Sequence, residues 1–229
     1  MIEPELLGTA QVPDGVELRL MRRGADFMIT LAGNELMTTR MHHSEDSLAV
    51  MTHERLGERG PQRWLIGGYG MGFTLRAALN VLGTDSAITV VELVPEIIQW
   101  ARGPMAEVAA GCLDDPRVML VEDDVSNAIK AAHGIYDAIL LDVDNGPDGL
   151  VREGNNGLYT GRGLRAAKHA LSPGGMLAIW SAHQDNAFVK RLKDTGFEVE
   201  ERFVRARPNN KGPRHFIWFC RKPDHDVAG

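Results

Sequence analysis

The sequence predicts an α/β protein built on a doubly wound parallel sheet, with a terminal antiparallel strand and a small β-hairpin unit ahead of it. Three features lead there. From Trp64 onward, short continuous apolar runs alternate with stretches of helical spacing, and a continuous run means a strand covered on both faces. The first run, Arg63-Trp64-Leu65-Ile66-Gly67-Gly68-Tyr69-Gly70-Met71-Gly72, stops in glycines and passes straight into the helix-like Phe73-Thr74-Leu75-Arg76-Ala77-Ala78-Leu79. Later runs end in acidic residues, at the edge where an open sheet of this class offers its binding crevice.

Taken in order, residues 1–43 form the small N-terminal β unit and residues 44–229 the main domain. Val16-Glu17-Leu18-Arg19-Leu20 alternates, Phe27-Met28-Ile29-Thr30-Leu31 follows, and Gly33-Asn34 marks a turn, so 16–38 is extended. Ser44 offers an N-cap with Glu45 and Asp46 in the first turn. Leu48, Val50, Met51 and Leu56 supply the apolar face of that helix, which Gly57 to Pro61 ends. Further strands are expected at Ile88–Leu93, Val118–Val121, Ala138–Asp142 and Met176–Trp180. Helices are expected at Glu96–Ala110, Val125–His133 and Gly163–Leu171. Phe197–Val204 and His215–Cys220, separated by Pro208 to Pro213, read as a closing β-ribbon.

The chain has 229 residues, 44% of them hydrophobic, enough for a sizeable core. A formal charge of −6 argues against nucleic acid or an acidic membrane as the main partner and favours small cationic or neutral substrates. Cys112 and Cys220 are the only cysteines and lie far apart, which fits a reducing cytoplasm and no zinc or disulfide framework. No run of 18 apolar residues occurs, and the expectation is a soluble cytoplasmic protein.

An apolar strand, a glycine turn and a helix start make a cofactor site, because bare backbone lets a ligand approach the new helix's N–H groups. Gly68, Gly70 and Gly72 alternate, whereas a dinucleotide fingerprint wants its third glycine at Phe73 and a phosphate loop wants Lys before Ser or Thr. Glu92, twenty residues after Gly72, stands where a carboxylate can accept from both ribose hydroxyls; the plain alternative is a solvated strand-end charge. In Glu122-Asp123-Asp124, one carboxylate can take the adenine amino group while Asp124 caps the next helix. The stretch Asp142-Val143-Asp144-Asn145-Gly146-Pro147-Asp148 faces the reacting atoms in this reading, and a bland acidic loop is the alternative.

These segments, in order, resemble the spermidine synthases, the polyamine aminopropyltransferases. The resemblance is carried by His43-Ser44-Glu45, Leu65 to Gly72 with Thr74-Leu75-Arg76, Val90-Val91-Glu92-Leu93, Asp115-Pro116-Arg117-Val118, Glu122-Asp123-Asp124, Tyr136 to Asp142 and Gly146-Pro147, across residues 17 to 182. It implies a Rossmann-like, methyltransferase-type sheet of the kind found in S-adenosylmethionine-dependent transferases, and a homodimer. The donor implied is decarboxylated S-adenosylmethionine or S-adenosylmethionine itself, the acceptor a small amine, with no metal. By the same resemblance Glu92 holds the ribose, Asp123 reads the adenine, and Asp142 is the catalytic base.

The departures are as informative. The family's loop carries an Asp that contacts the donor's amine, and here Gly70 occupies that place. The second Asp of the family's catalytic loop falls on Asn145, with Asp144 beside it as a substitute. Loss of the loop carboxylate removes a repulsion that discriminates against ordinary S-adenosylmethionine. Methyl transfer on the same fold is therefore one alternative, and a non-catalytic nucleoside-binding relative is another. Tyr159, after the acidic loop, is a candidate for the substrate pocket; Tyr69 and Met71 shape the donor site or point into the core. His42, His43 and His53 lack ligand spacing for a metal. Arg202, Arg205, Arg207, Lys211 and Arg214 read as charges guarding an edge strand, with an anion site as the alternative.

Overall fold

The structure, a computed structural model, describes residues 3–12, 15–143, 156–209 and 211–224. Asp144 and Asn145, two of the expected site residues, lie outside them.

The chain opens with a four-stranded antiparallel sheet of β1 (Glu5–Gln11), β2 (Glu17–Arg23), β3 (Asp26–Leu31) and β4 (Asn34–Thr38), paired in sequence order. The expected hairpin over 16–38 thus gains an outer strand. β1 escaped notice because its burial does not alternate: only Ala10 is buried, and the pairing with β2 is irregular between Leu6 and Gly8. In β2 and β3, Leu18, Leu20, Phe27, Ile29 and Leu31 alternate inward and turn one face of the small sheet toward the main core.

Helix α1 (His43–Leu56) follows, then β5 (Arg63–Gly67), α2 (Phe73–Val81), β6 (Ala87–Glu92), α3 (Pro95–Arg102), α4 (Ala106–Ala109), β7 (Val118–Glu122), α5 (Val125–Ala131) and β8 (Tyr136–Leu141). The remainder is α6 (Asn156–Tyr159), α7 (Gly161–Ala170), β9 (Leu171–Ser181), α8 (Asn186–Asp194), β10 (Glu198–Arg207) and β11 (Lys211–Arg221). Seven strands form one sheet in the order β10-β11-β9-β8-β5-β6-β7. Five are parallel, and β11 runs antiparallel between β9 and β10. This is the doubly wound sheet with an antiparallel closing strand that the apolar runs predict.

Alternation along each strand feeds two layers. Trp64, Ile66, Ile88, Val90, Ala138, Leu140 and Ala178 pack with α1, α2, α3 and the small sheet; Leu65, Val91, Ile139, Leu141, Leu177 and Ile179 pack with α5, α7 and α8. Both faces are covered, which is why the strands read as unbroken apolar runs.

Two expectations are corrected. The single helix over Glu96–Ala110 is broken, since Gly103 ends α3 and Pro104, which has no N–H to donate, separates it from α4. Ser44 is not an N-cap: α1 begins at His43 with His42 in the capping position and no side-chain cap, and the Ser44 hydroxyl is buried and engaged elsewhere. Asp124 does cap α5, its Oδ1 accepting from Ser126 N–H at 2.8 Å.

Leu140, fully buried at the sheet centre, is the sharpest test of this packing. Leu140→Ala should cost about 2–5 kcal/mol, read by urea unfolding; a loss under about 1 kcal/mol would mean that the two-layer core is not closed over β8.

Candidate active site

The chain goes from β5 out to β6 and β7, then returns to β8 on the other side of β5, so the sheet's switch point lies between the ends of β5 and β8. The two backbones pass closely there. Asp142 N–H donates to the Gly67 carbonyl at 3.0 Å, and Gly68 N–H donates to the Val91 carbonyl at 2.9 Å. Gly68 has φ 84°, and a Cβ on it would lie 2.4 Å from the Asp142 carbonyl oxygen. No other residue fits that crossing.

A cleft opens from this point between the carboxyl ends of the parallel strands and the small sheet. Gly68, Gly70, Glu92, Asp123 and Asp142 line it together, with Glu45, Asp124 and an apolar wall that includes Ile29, Met37, Ile97 and Trp180. The carboxylates expected at successive strand ends therefore converge on one hollow. The described lining contains five carboxylates and no Lys, Arg or His.

Each carboxylate is held differently. Glu92 is buried, and its Oε2 accepts from Tyr69 N–H at 2.8 Å while Oε1 accepts from Val94 N–H at 2.9 Å. Gly70 N–H also donates to Oε2, at 3.5 Å, so the carboxylate ties the glycine loop to the start of α3. Burial pushes its pKa up against the lowering effect of these amides. Asp123 Oδ1 accepts from Asp124 N–H at 2.7 Å and from Asn127 Nδ2 at 2.9 Å, which fixes the side chain at the rim. Asp142 Oδ2 accepts from Thr74 Oγ1 at 2.6 Å. Burial raises the Asp142 pKa, and the Thr74 hydroxyl opposes the rise.

Sequence reasoning passed over Glu45 and Thr74 as site residues. Glu45 sits in the first turn of α1, buried, and shares the cleft with Asp142. Ser44 Oγ donates to Glu45 Oε2 and lies 2.8 Å from His215 Nδ1 on β11. Burial, and then the Asp142 charge, push the Glu45 pKa up. The signal was there: two acidic residues opening a helix look like macrodipole partners, but a serine and a glutamate inside the resemblance motif, before an apolar face, also sit where α1 meets the sheet. Because both buried carboxyls bind a proton more tightly folded than unfolded, their share of stability is lost as pH rises above the ordinary carboxylate range.

Other expected residues are placed elsewhere. Gly72, at φ 80°, caps α2; a Cβ there would meet the Tyr69 hydroxyl at 2.6 Å, so its role is in packing the loop, outside the cleft lining. Tyr159 does not line the cleft: its ring is buried edge-on to Phe188, centroids 5.5 Å apart, and its hydroxyl donates to the Val143 carbonyl at 3.4 Å. Tyr69 and Met71 are core residues, as is Trp218. Met37 fills the space beside Gly70, its Cε 2.7 Å from where a Cβ would stand. His42 stacks on Phe73 and pairs with Asp46.

Known proteins resemble this chain in sequence and in fold. A polyamine aminopropyltransferase of Mycobacterium tuberculosis (strain ATCC 25618 / H37Rv) is 32% identical over 166 residues, covering 71% of this chain and 30% of the relative. One from Salmonella arizonae is 32% identical over 164 residues, covering 69% and 54%. The chain thus spans from under a third to about half the length of these curated relatives. Among solved structures, a spermidine synthase from Thermotoga maritima superposes with a TM-score of 0.74 at 17% identity, over 97% of this chain and 74% of that one. A spermidine synthase in complex with the transition-state analogue AdoDATO gives 0.74 at 18% identity over the same shares. Such identities speak for the fold, and the sheet, its antiparallel closing strands and the small leading β unit are those of spermidine synthases. The Spermine/spermidine synthase domain matches residues 47–195, most of the chain from α1 to α8, and with the relatives above it shows that this chain belongs to the spermine/spermidine synthase family.

Proposed function

We propose that the chain is a transferase that moves an aminopropyl or related alkyl group from an adenosyl sulfonium donor to a small amine. The observation that carries the reading is the meeting of Glu92, Asp123 and Asp142 with bare Gly68 and Gly70 around a single cleft at the switch point. Glu92 would accept from the ribose hydroxyls, and Asp123 from the adenine amino group. The donor supplies a carbon already activated by its sulfonium, so the protein's work is to bring amine and carbon into line and to accept one proton. In this reading Asp142, whose Oδ2 accepts from Thr74 Oγ1, takes that proton.

Five carboxylates without a cation among them favour positively charged ligands, because an amine and a sulfonium both relieve the repulsion. The described lining offers no charged partner for a carboxylate on the donor's tail, which favours the decarboxylated donor. Gly70 supports a second reading, methyl transfer from S-adenosylmethionine, since Met37 rather than a carboxylate stands beside it, where the resemblance puts the donor's tail. A nucleoside-binding protein without turnover is the reading from another class.

Isothermal calorimetry should find the decarboxylated donor bound at least about tenfold more tightly than S-adenosylmethionine, a difference of about 1.4 kcal/mol; the reverse preference decides for methyl transfer. Asp142→Asn should cut kcat by about 100-fold or more while donor affinity stays within about threefold. Turnover that survives the change removes Asp142 from its role. With Asp142 raised by burial and active only when ionised, kcat/KM should climb with pH along an acid limb lying above the ordinary carboxylate range. A limb near pH 4 would place the base elsewhere.

A further inference from the structure

The hydroxyl of Ser44 joins two groups that otherwise have no reason to meet. On one side is Glu45, buried in the cleft wall; on the other is His215, half-buried at the point where β11 passes from exposed residues 211–214 into the core. A serine has one hydrogen, so the row has two arrangements. Either His215 Nδ1–H donates to Ser44 and Ser44 to the Glu45 carboxylate, or a protonated Glu45 donates to Ser44 and Ser44 to His215 Nδ1. Exchanging one for the other moves a proton between the cleft and the β11 side.

The inner end of the row opens on the cleft that Asp142 shares. Thr74 Oγ1 lies 2.6 Å from Asp142 Oδ2 and 3.3 Å from the Glu45 carbonyl oxygen, and both acidic side chains line the cleft. Around Glu45 stand Asp142 across the cleft and Asp46 on its own helix, which pairs with His42, with Glu92, Asp123 and Asp124 further along the lining; no described Lys or Arg lines the cleft. At the outer end the His215 ring packs edge-on to Trp180, centroids 4.7 Å apart, and His183 is the titratable neighbour. Burial and that neighbour push the His215 pKa down to about 4, so at neutral pH the ring carries no charge and can pass a proton on without holding it.

We propose that Glu45, Ser44 and His215 form a proton relay that empties Asp142 after each turnover. This rests on the transferase reading. The amine nitrogen forms a bond to the carbon beside sulfur, the carbon–sulfur electrons stay on sulfur, and the proton of the new ammonium passes to the Asp142 carboxylate. Glu45 gives its own proton through Ser44 to His215 Nδ1, His215 releases the Nε2 proton to solvent, Asp142 refills Glu45 across the cleft, and proton exchange with solvent returns His215 to its Nε2–H tautomer before the next turnover. One proton leaves for each group transferred, and nothing is oxidised or reduced.

The test has two arms on the full chain. Infrared difference spectra of the unliganded protein at pH 7 need no substrate: the Glu45→Gln-minus-wild-type spectrum should show loss of a protonated-carboxyl C=O stretch, and the same stretch should persist in Asp142→Asn. A Glu45 ionised at pH 7 overturns the relay. In the second arm, Ser44→Ala and His215→Ala should each lower kcat about tenfold or more with KM within about twofold, and imidazole in the buffer should restore most of the rate of His215→Ala but none of Ser44→Ala. Wild-type turnover with both variants unimpaired, or an impaired His215→Ala that imidazole leaves unchanged, overturns the relay and leaves the transferase reading standing. A wild type that transfers nothing to any amine removes that reading and the relay with it.

Discussion

The close passage of two backbones at the sheet's centre is the constraint on which the site depends. Gly68 leaves β5 at φ 84° against the Asp142 carbonyl, a contact that any side chain would forbid. Because the strands cross so tightly, the Asp142 side chain falls beside Thr74 at the start of α2, and the glycine loop stays low enough for Glu92 to hold it through Tyr69 N–H. The cleft is what remains above that crossing once the small N-terminal sheet closes over it.

Gathering five carboxylates around one hollow, with Glu45 and Glu92 buried, Asp124 and Asp142 partly so and Asp123 at the exposed rim, is electrostatically costly, and the fold offsets it locally rather than with counter-ions. Backbone amides hold Glu92, a neighbouring amide and Asn127 hold Asp123, and hydroxyls hold Asp142 and Glu45. Hydrogen bonds of this kind stabilise the charged form, yet desolvation still raises Glu45, Glu92 and Asp142. A site with raised carboxyls is suited to a cationic ligand and to proton uptake near neutrality. The same property costs the folded state stability as the pH climbs.

Much of this was legible in the chain itself. The parallel strands announced themselves as unbroken apolar runs because both faces are covered, and Gly68 and Gly70 stood out because only glycine suits such crossings. Glu92, Asp123 and Asp142 could be named because strand ends in this class of sheet face one crevice. What stayed hidden depends on contacts between distant segments. Glu45 reads locally as a helix-opening acid, and only the approach of α1 to β8 and β11 makes it a partner of Asp142 and, through Ser44, of His215. Tyr159 shows the converse: an aromatic after an acidic loop invites a binding role, and the structure packs its ring against Phe188 on α8, outside the described lining. β1 has too little alternation to be read as a strand, since an edge strand with a polar outer face carries little pattern.

The central claim is that one cleft holds an adenosine moiety between Glu92 and Asp123 with the reacting carbon facing Asp142. A crystal structure of the full chain soaked with 5'-methylthioadenosine tests it most directly. The account predicts ribose hydroxyls within hydrogen-bond distance of Glu92, the adenine amino group at Asp123 and the sulfur on the Gly70 and Met37 side of the cleft. A nucleoside bound at another opening, or one that leaves Glu92 and Asp123 untouched, would contradict it.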